Sequence, residues 1–181
     1  MTRSPRVDPG LLRRVDDVLL DALTPLAADG DVLLERHGEA CYGVGLPTRA
    51  RPRTWVRLEA GDQALRVESF FLRRPDEAVA AVRGLLLARN LRSPAVQFAL
   101  DAIGDVWLVG WLPWEAVTPA ALDRALGQVV VHVEEALLPA LEHGFATALA
   151  VEPARRAKLL ADGAGRRPAG TPDAAKPDSR R

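Results

Sequence analysis

The residues that could do chemistry in this chain are few and scattered. There are three histidines, His37, His132 and His143, and one cysteine, Cys41. None stands at a ligand spacing from another donor, so no metal site is expected. Ser69 and Ser93 could in principle be nucleophiles, but neither lies in the glycine-flanked elbow that exposes a strained catalytic serine. Cys41 sits in the apolar, strand-like segment ACYGVGLP, where a thiol is expected to be buried and unreactive. Gly43-Val44-Gly45 lacks the third glycine and the following helix that a phosphate-binding loop requires, and Pro47 opposes such a helix. Asp16/Asp17, Asp76/Glu77 and Glu134/Glu135 are sequence neighbours on helices, so their carboxylates point about 100° apart and share no proton site. The expectation is a non-enzymatic protein with no catalytic, metal or cofactor-binding residues.

The tryptophans are harder to assign to folding alone. Between Asp105 and Leu112, strand alternation sends Val106, Leu108 and Leu112 one way and Trp107, Val109 and Trp111 the other. Trp114 follows directly. Both faces of this strand are therefore apolar. Either it is a central strand covered on both sides within one domain, or one aromatic face is offered outward, where tryptophan is a favoured anchor of interfaces. Trp107, Val109, Trp111 and Trp114 are accordingly the candidate partner-binding residues. A protein segment, a second subunit in a homodimer, or an extra terminal helix would cover them.

Composition limits the partners. At 181 residues and 48% hydrophobic, the chain can bury one sizeable core. Its 24 Lys/Arg balance 24 Asp/Glu overall, but the segment from Ala154 onward is basic and the body mildly acidic. Neither part has the dense basic stripe that releases counterions from a phosphate backbone, so no nucleic-acid partner is expected. The lone cysteine excludes an intramolecular disulfide and fits a reducing compartment. A charged N-terminus and the lack of any apolar run of about 20 residues point to a cytoplasmic chain with no membrane partner.

Elements that would position these residues follow from periodicity. Residues 1–10 read as a flexible lead, and 11–150 as one domain. Leu11, Val15, Val18, Leu19, Ala22 and Leu23 recur at helical spacing, with Pro25 expected to end or kink that helix near Thr24. Short strands are expected around Val32–Arg36, Ala40–Leu46 and Thr54–Leu58. A longer one follows from Gln63 to Leu72, with Val67 and Phe71 on one face and Phe70 and Leu72 on the other. Pro75 at a first helical position, followed by Asp76 and Glu77, predicts a second helix reaching Asn90. A hairpin joins Ala95–Asp101 to Asp105–Leu112 through Gly104. Thr118 then caps a third, long helix ending near Gly144. Residues 151–181 read as a short helical or irregular extension, with a disordered basic tail from Gly163. Strands grouped in sequence give the α+β class: an antiparallel sheet of about five strands with helices packed on one face.

LRVESFFLRRPDEAVAAVRGLLLARN, then FALDAIGDVWLVGWLP, then LEHGFATAL, resembles the YbjN-domain family. The residues carrying the likeness are Arg73, Arg74, Pro75, Arg89, Asn90, Gly104, Asp105, Leu108, Gly110, Gly144 and Phe145. It spans about Leu11 to Leu149. Two departures stand out: Thr48–Arg53 lacks the family's glycine-glutamate turn, and Trp111 replaces a common arginine. The resemblance implies a fold like that of type III secretion chaperones and a sensory transduction regulator without catalytic activity. The function expected is that of a protein-binding module, a chaperone-like or regulatory adaptor. The alternative is a small-molecule-binding or accessory subunit of an enzyme completed by a second chain.

Overall fold

A computed structural model of the chain describes residues 8–28, 30–152 and 154–165. In chain order the elements are α1 (Pro9–Ala27), β1 (Leu33–Gly38), β2 (Cys41–Leu46), β3 (Thr54–Ala60), β4 (Ala64–Leu72), α2 (Val79–Asn90), β5 (Gln97–Leu100), β6 (Val106–Pro113), α3 (Pro119–Gly144), α4 (Ala146–Val151) and α5 (Arg155–Gly165). A 3-10 turn, Trp114–Ala116, links β6 to α3. The class is α+β, and the sheet is antiparallel with six strands in the order β1-β2-β3-β4-β6-β5. Beyond β4 the chain crosses through α2, lays β5 at the edge and returns β6 into the gap.

Register fixes what each face carries. Leu58 pairs with Tyr42 and Val67, Val67 with Gly110, and Leu65 with Leu112, so these side chains share one face with Val44, Val56 and Leu108. All of them are buried in one continuous core apart from Gly110, whose added Cβ would lie 2.4 Å from the Ala95 carbonyl oxygen. On this inner face pack α1, whose Leu19 and Leu23 are almost fully buried, and α3, with α2 beside α3. α3 contributes Leu122, Leu126, Val129, Val133, Leu137 and Leu141, a stripe at helical spacing.

Asp16 ties α1 to the first hairpin. Its Oδ1 accepts from the Ala40 amide at 2.8 Å and from the Tyr42 hydroxyl at 2.7 Å, and its Oδ2 pairs with Arg36 at 2.5 Å. Burial and then the Asp16 carboxylate raise the Tyr42 phenol to about 12.

Three expectations about elements need correction. Pro25 lies inside α1, which runs on to Ala27, because a proline in an exposed last turn forgoes a single hydrogen bond. The helix also starts earlier than Leu11: Asp8 caps it, accepting from the Gly10 amide at 3.1 Å, with Pro9 at its first position.

The second helix does not start at Pro75. The Asp76 and Glu77 amides donate instead to the Gly144 carbonyl at 3.0 and 3.1 Å, satisfying the C-terminal end of α3. Ala78, at φ 46°, then turns the chain into α2.

Third, Phe71 and Leu72 are not on opposite faces. Phe70 pairs with Trp107 and Leu72 with Val106, leaving Phe71 as the extra residue of a bulge. Phe71 and Leu72 both join the inner core. The guanidinium of Arg51, only 2% exposed, donates to the Phe70 and Phe71 carbonyls at 2.8 and 3.1 Å, supplying the bulge with partners. Burial pulls its pKa down to about 10.

The hairpin and third helix fold as the sequence predicts. Gly104 adopts φ +88° in the β5–β6 turn, and the Thr118 hydroxyl accepts from the Ala121 amide at 3.2 Å. Of the extension, Arg155–Gly165 is helical, so Gly163–Gly165 belong to α5; the rest of the tail and lead residues 1–7 lie outside the described residues.

Candidate functional site

The outer face of the sheet is built by the alternate residues. Trp55, Arg57 and Glu59 come from β3, Arg66, Glu68 and Phe70 from β4, and Trp107, Val109 and Trp111 from β6. Gly43 and Gly45 of β2 leave room for large neighbours, since a Cβ on Gly45 would lie 3.2 Å from the Trp55 ring. Charges alternate across the centre of this face. Arg57 lies opposite Glu68 and Glu59 opposite Arg66, while within each strand Arg57 holds Glu59 at 2.7 Å and Arg66 holds Glu68 at 2.5 Å. Burial pushes the Glu68 carboxyl upward, and the neighbouring guanidiniums of Arg66 and Arg57 oppose that shift.

Three of the four candidate residues meet on this face. Trp107 is half-buried, edge-on to Phe70 with ring centroids 5.3 Å apart, and its indole N–H donates to Asp101 at 3.0 Å. Val109 is half-buried opposite Glu68. Trp111 is 58% exposed, with the Arg66 guanidinium 5.4 Å from its ring. The face thus runs from ordered aromatic packing at Trp107 to an open indole at Trp111. Trp114 is elsewhere: it packs against the core from the 3-10 turn, with its indole nitrogen 3.5 Å from the Asp62 carbonyl oxygen.

A second site appears that sequence order conceals. Ser93 and His132 are 39 positions apart, yet Ser93 Oγ and His132 Nε2 are 2.8 Å apart, beside an open groove of about 660 Å³ between α2 and α3. The pair is not wired for nucleophilic attack. Nε2 also faces the Val96 carbonyl oxygen at 3.3 Å, which can only accept, so Nε2 carries the proton. The Ser93 hydroxyl in turn donates to the Arg89 carbonyl at 3.0 Å. No imidazole lone pair is therefore aimed at the serine. Burial lowers the His132 pKa and keeps the ring neutral, with Nδ1 enclosed and unpartnered among the described residues.

What His132 does is structural. Gln128 Oε1 accepts from the Ala95 and Val96 amides at 2.9 and 2.8 Å, and Asn90 bonds both the amide and the carbonyl of Phe98 at 2.8 and 3.1 Å. Together with His132 on the Val96 carbonyl, these side chains stand where a further strand would pair, and close the edge of β5. Gln128 and His132, polar residues four apart and so on one face of the third helix, were the available sequence signal. Of the other candidates, Cys41 is half-buried on the outer face with its thiol pKa raised by burial, and Ser69 is fully buried on the inner one. Among the described residues no three His, Cys, Asp or Glu gather at metal-binding distance, and no helix is long and apolar enough to cross a membrane.

The model of one protein family, described as "putative bacterial sensory transduction regulator", matches residues 16–141, which takes in every strand, α2 and most of α3. The chain belongs to the YbjN family. Relatives of this YbjN chain include an uncharacterized protein of Mycobacterium leprae, 38% identical over 109 residues, or 60% of this chain and 59% of the relative. Uncharacterized proteins of Mycobacterium bovis and Mycobacterium tuberculosis are 38% identical over 106 residues, or 59% of this chain and 58% of theirs. The chain spans about three-fifths of the length of the curated relatives it matches. The YbjN match covers the outer sheet face and the sealed β5 edge alike.

Proposed function

We propose that this YbjN chain is a non-enzymatic regulatory adaptor of the cytoplasm, which binds a protein segment or a second subunit through the outer face of β6. The observation that carries this reading is the exposed Trp111, set beside Val109 and Trp107 on a strand whose other face is fully committed to the core. An indole held out by a rigid sheet loses little entropy on binding, and tryptophan is over-represented among residues that dominate interfaces. The family description as a regulator, and a Ser93–His132 pair locked by its own hydrogen bonds, favour binding over catalysis.

The alternative, a small-molecule-binding or accessory subunit, would use the groove between α2 and α3. At that groove the Ser93 hydroxyl and the Gln128 carbonyl oxygen are already bonded within the chain and Arg89 is paired with Glu135, which leaves Arg92 as the charged side chain without an ion-pair partner among the described residues to orient a ligand. The test compares the full chain with its Trp111→Ser variant. Proteins captured from lysate by the wild type, or a dimer seen by light scattering, should be lost in the variant at unchanged melting temperature. Identical capture and identical mass for both proteins would refute the role of this face.

A further inference from the structure

α2 carries apolar residues both inward and outward, yet among the described residues its outward apolar side is uncovered. Inward, Val82 and Leu86 are 0% and 2% exposed in the core. Outward, Ala80, Gly84, Leu87 and Leu91 are all exposed, at spacings of four, three and four, the spacing of a seam that receives another helix. Leu87 is 62% exposed and Leu91 90%, and nothing lies within 4 Å of the position a Cβ on Gly84 would take. A helix with this pattern belongs between two layers. Concavities flank it on both sides: the groove of about 660 Å³ beside Leu91 and Val131, and a smaller hollow of about 70 Å³ beside Leu87 and Leu100.

Charge decides what fits there. From Val79 to Leu100 the sequence contains three arginines and no acidic residue. Arg89 is paired with Glu135 at 2.7 Å, but Arg83 and Arg92 border the hollow and the groove with no acidic partner among the described residues. The acids that precede α2 are also engaged: Asp76 by Arg73 at 2.6 Å and Glu77 by the Thr147 hydroxyl at 2.8 Å. A second copy of α2 would bring Arg83 and Arg92 towards arginines, and Glu135, the carboxylate that lines the groove, is already paired with Arg89.

We propose that the outward face of α2 is a docking surface for an acidic amphipathic helix of a partner protein. Its apolar side would lie along Gly84, Leu87 and Leu91, and its Glu or Asp residues would flank that stripe opposite Arg83 and Arg92. This surface is separate from the Trp111 face and does not depend on it.

The test is selection of a displayed library of amphipathic helices, with flanking positions randomised between Glu and Lys, against the full-length protein. Glu should be enriched. A selected peptide should bind at least tenfold more weakly to the Leu87→Gln/Leu91→Gln variant and lose affinity as salt rises. The Arg83→Glu/Arg92→Glu variant should reverse the preference to Lys, a readout that survives any failure of the leucine variant to fold. Enrichment of neither charge, enrichment of Lys, or peptides indifferent to both variants would overturn the proposal. So would a homodimer that the leucine substitutions dissolve. Loss of binding in the Trp111→Ser variant alone would place the site on the sheet instead.

Discussion

Replacing Asp16 tests whether one buried carboxylate holds α1 to the sheet. Asp16 is 7% exposed, and both of its buried donors, the Ala40 amide and the Tyr42 hydroxyl, converge on the same oxygen, Oδ1. Asp16→Ala strands both donors inside the core. At about 1–3 kcal/mol for each unpaired buried group, the expected loss is about 4 kcal/mol. The Arg36 pair adds little, because that guanidinium is half exposed and screened by water. Asp16→Asn keeps an acceptor at Oδ1 and turns its amide toward Arg36, which can swing away, so its cost should be only about 1 kcal/mol.

Urea unfolding of the three proteins measures these differences. A second readout is specific, because Tyr42 is the only tyrosine in the chain. Its phenol, raised in the fold to about 12 against about 10 when unfolded, should show an absorbance titration near 12 in the native protein. Asp16→Asn should lower that midpoint. The raised value also means stability that is complete below pH about 10 and is lost as pH climbs toward 12. An alanine variant as stable as the wild type, or a native phenol titrating near 10, would refute the reasoning.

His132 is held neutral with its pKa depressed, so its contribution is complete above about pH 6.5 and fades as pH falls through the lowered value; His132→Phe should flatten that acid limb in melts across pH 4–7. Asn90→Leu removes both partners of the Phe98 backbone and should cost about 2 kcal/mol, with added aggregation by light scattering as the β5 edge opens. Ala78 is exposed at φ 46°, where a side chain costs about 1–2 kcal/mol, so Ala78→Gly should raise stability by about 0.5–1 kcal/mol in the same unfolding assay. Trp111→Ser, at an exposed site, should shift stability by no more than about 0.5 kcal/mol; a larger loss would mark Trp111 as core.

The elements of this chain were legible because their signals are local. Thr118 with Pro119, Gly104 in its turn and the alternation of β6 each act within a few residues, and a strand or helix cannot hide its period. That alternation also identified Trp107, Val109 and Trp111 as neighbours on one face, since side chains two apart on a strand share a side wherever no bulge intervenes. Trp114 escaped the rule because the strand ends at Pro113 and the chain turns into a 3-10 helix.

Tertiary structure decided whatever depended on a distant partner. The start of α2 was set by the Gly144 carbonyl at the far end of α3, which captures two amides that local preference assigned to a helix. The bulge at Phe71 lies in the pairing of β4 with β6, a strand reached only after α2 and β5, and Arg51 bonds the carbonyls of Phe70 and Phe71 there. Ser93 and His132 meet, and Asn90, Gln128 and His132 close an edge, only because α2 and α3 lie beside β5. Periodicity reports which side of an element is apolar; which element arrives to cover it, and which side stays open, is settled by the geometry of the whole sheet.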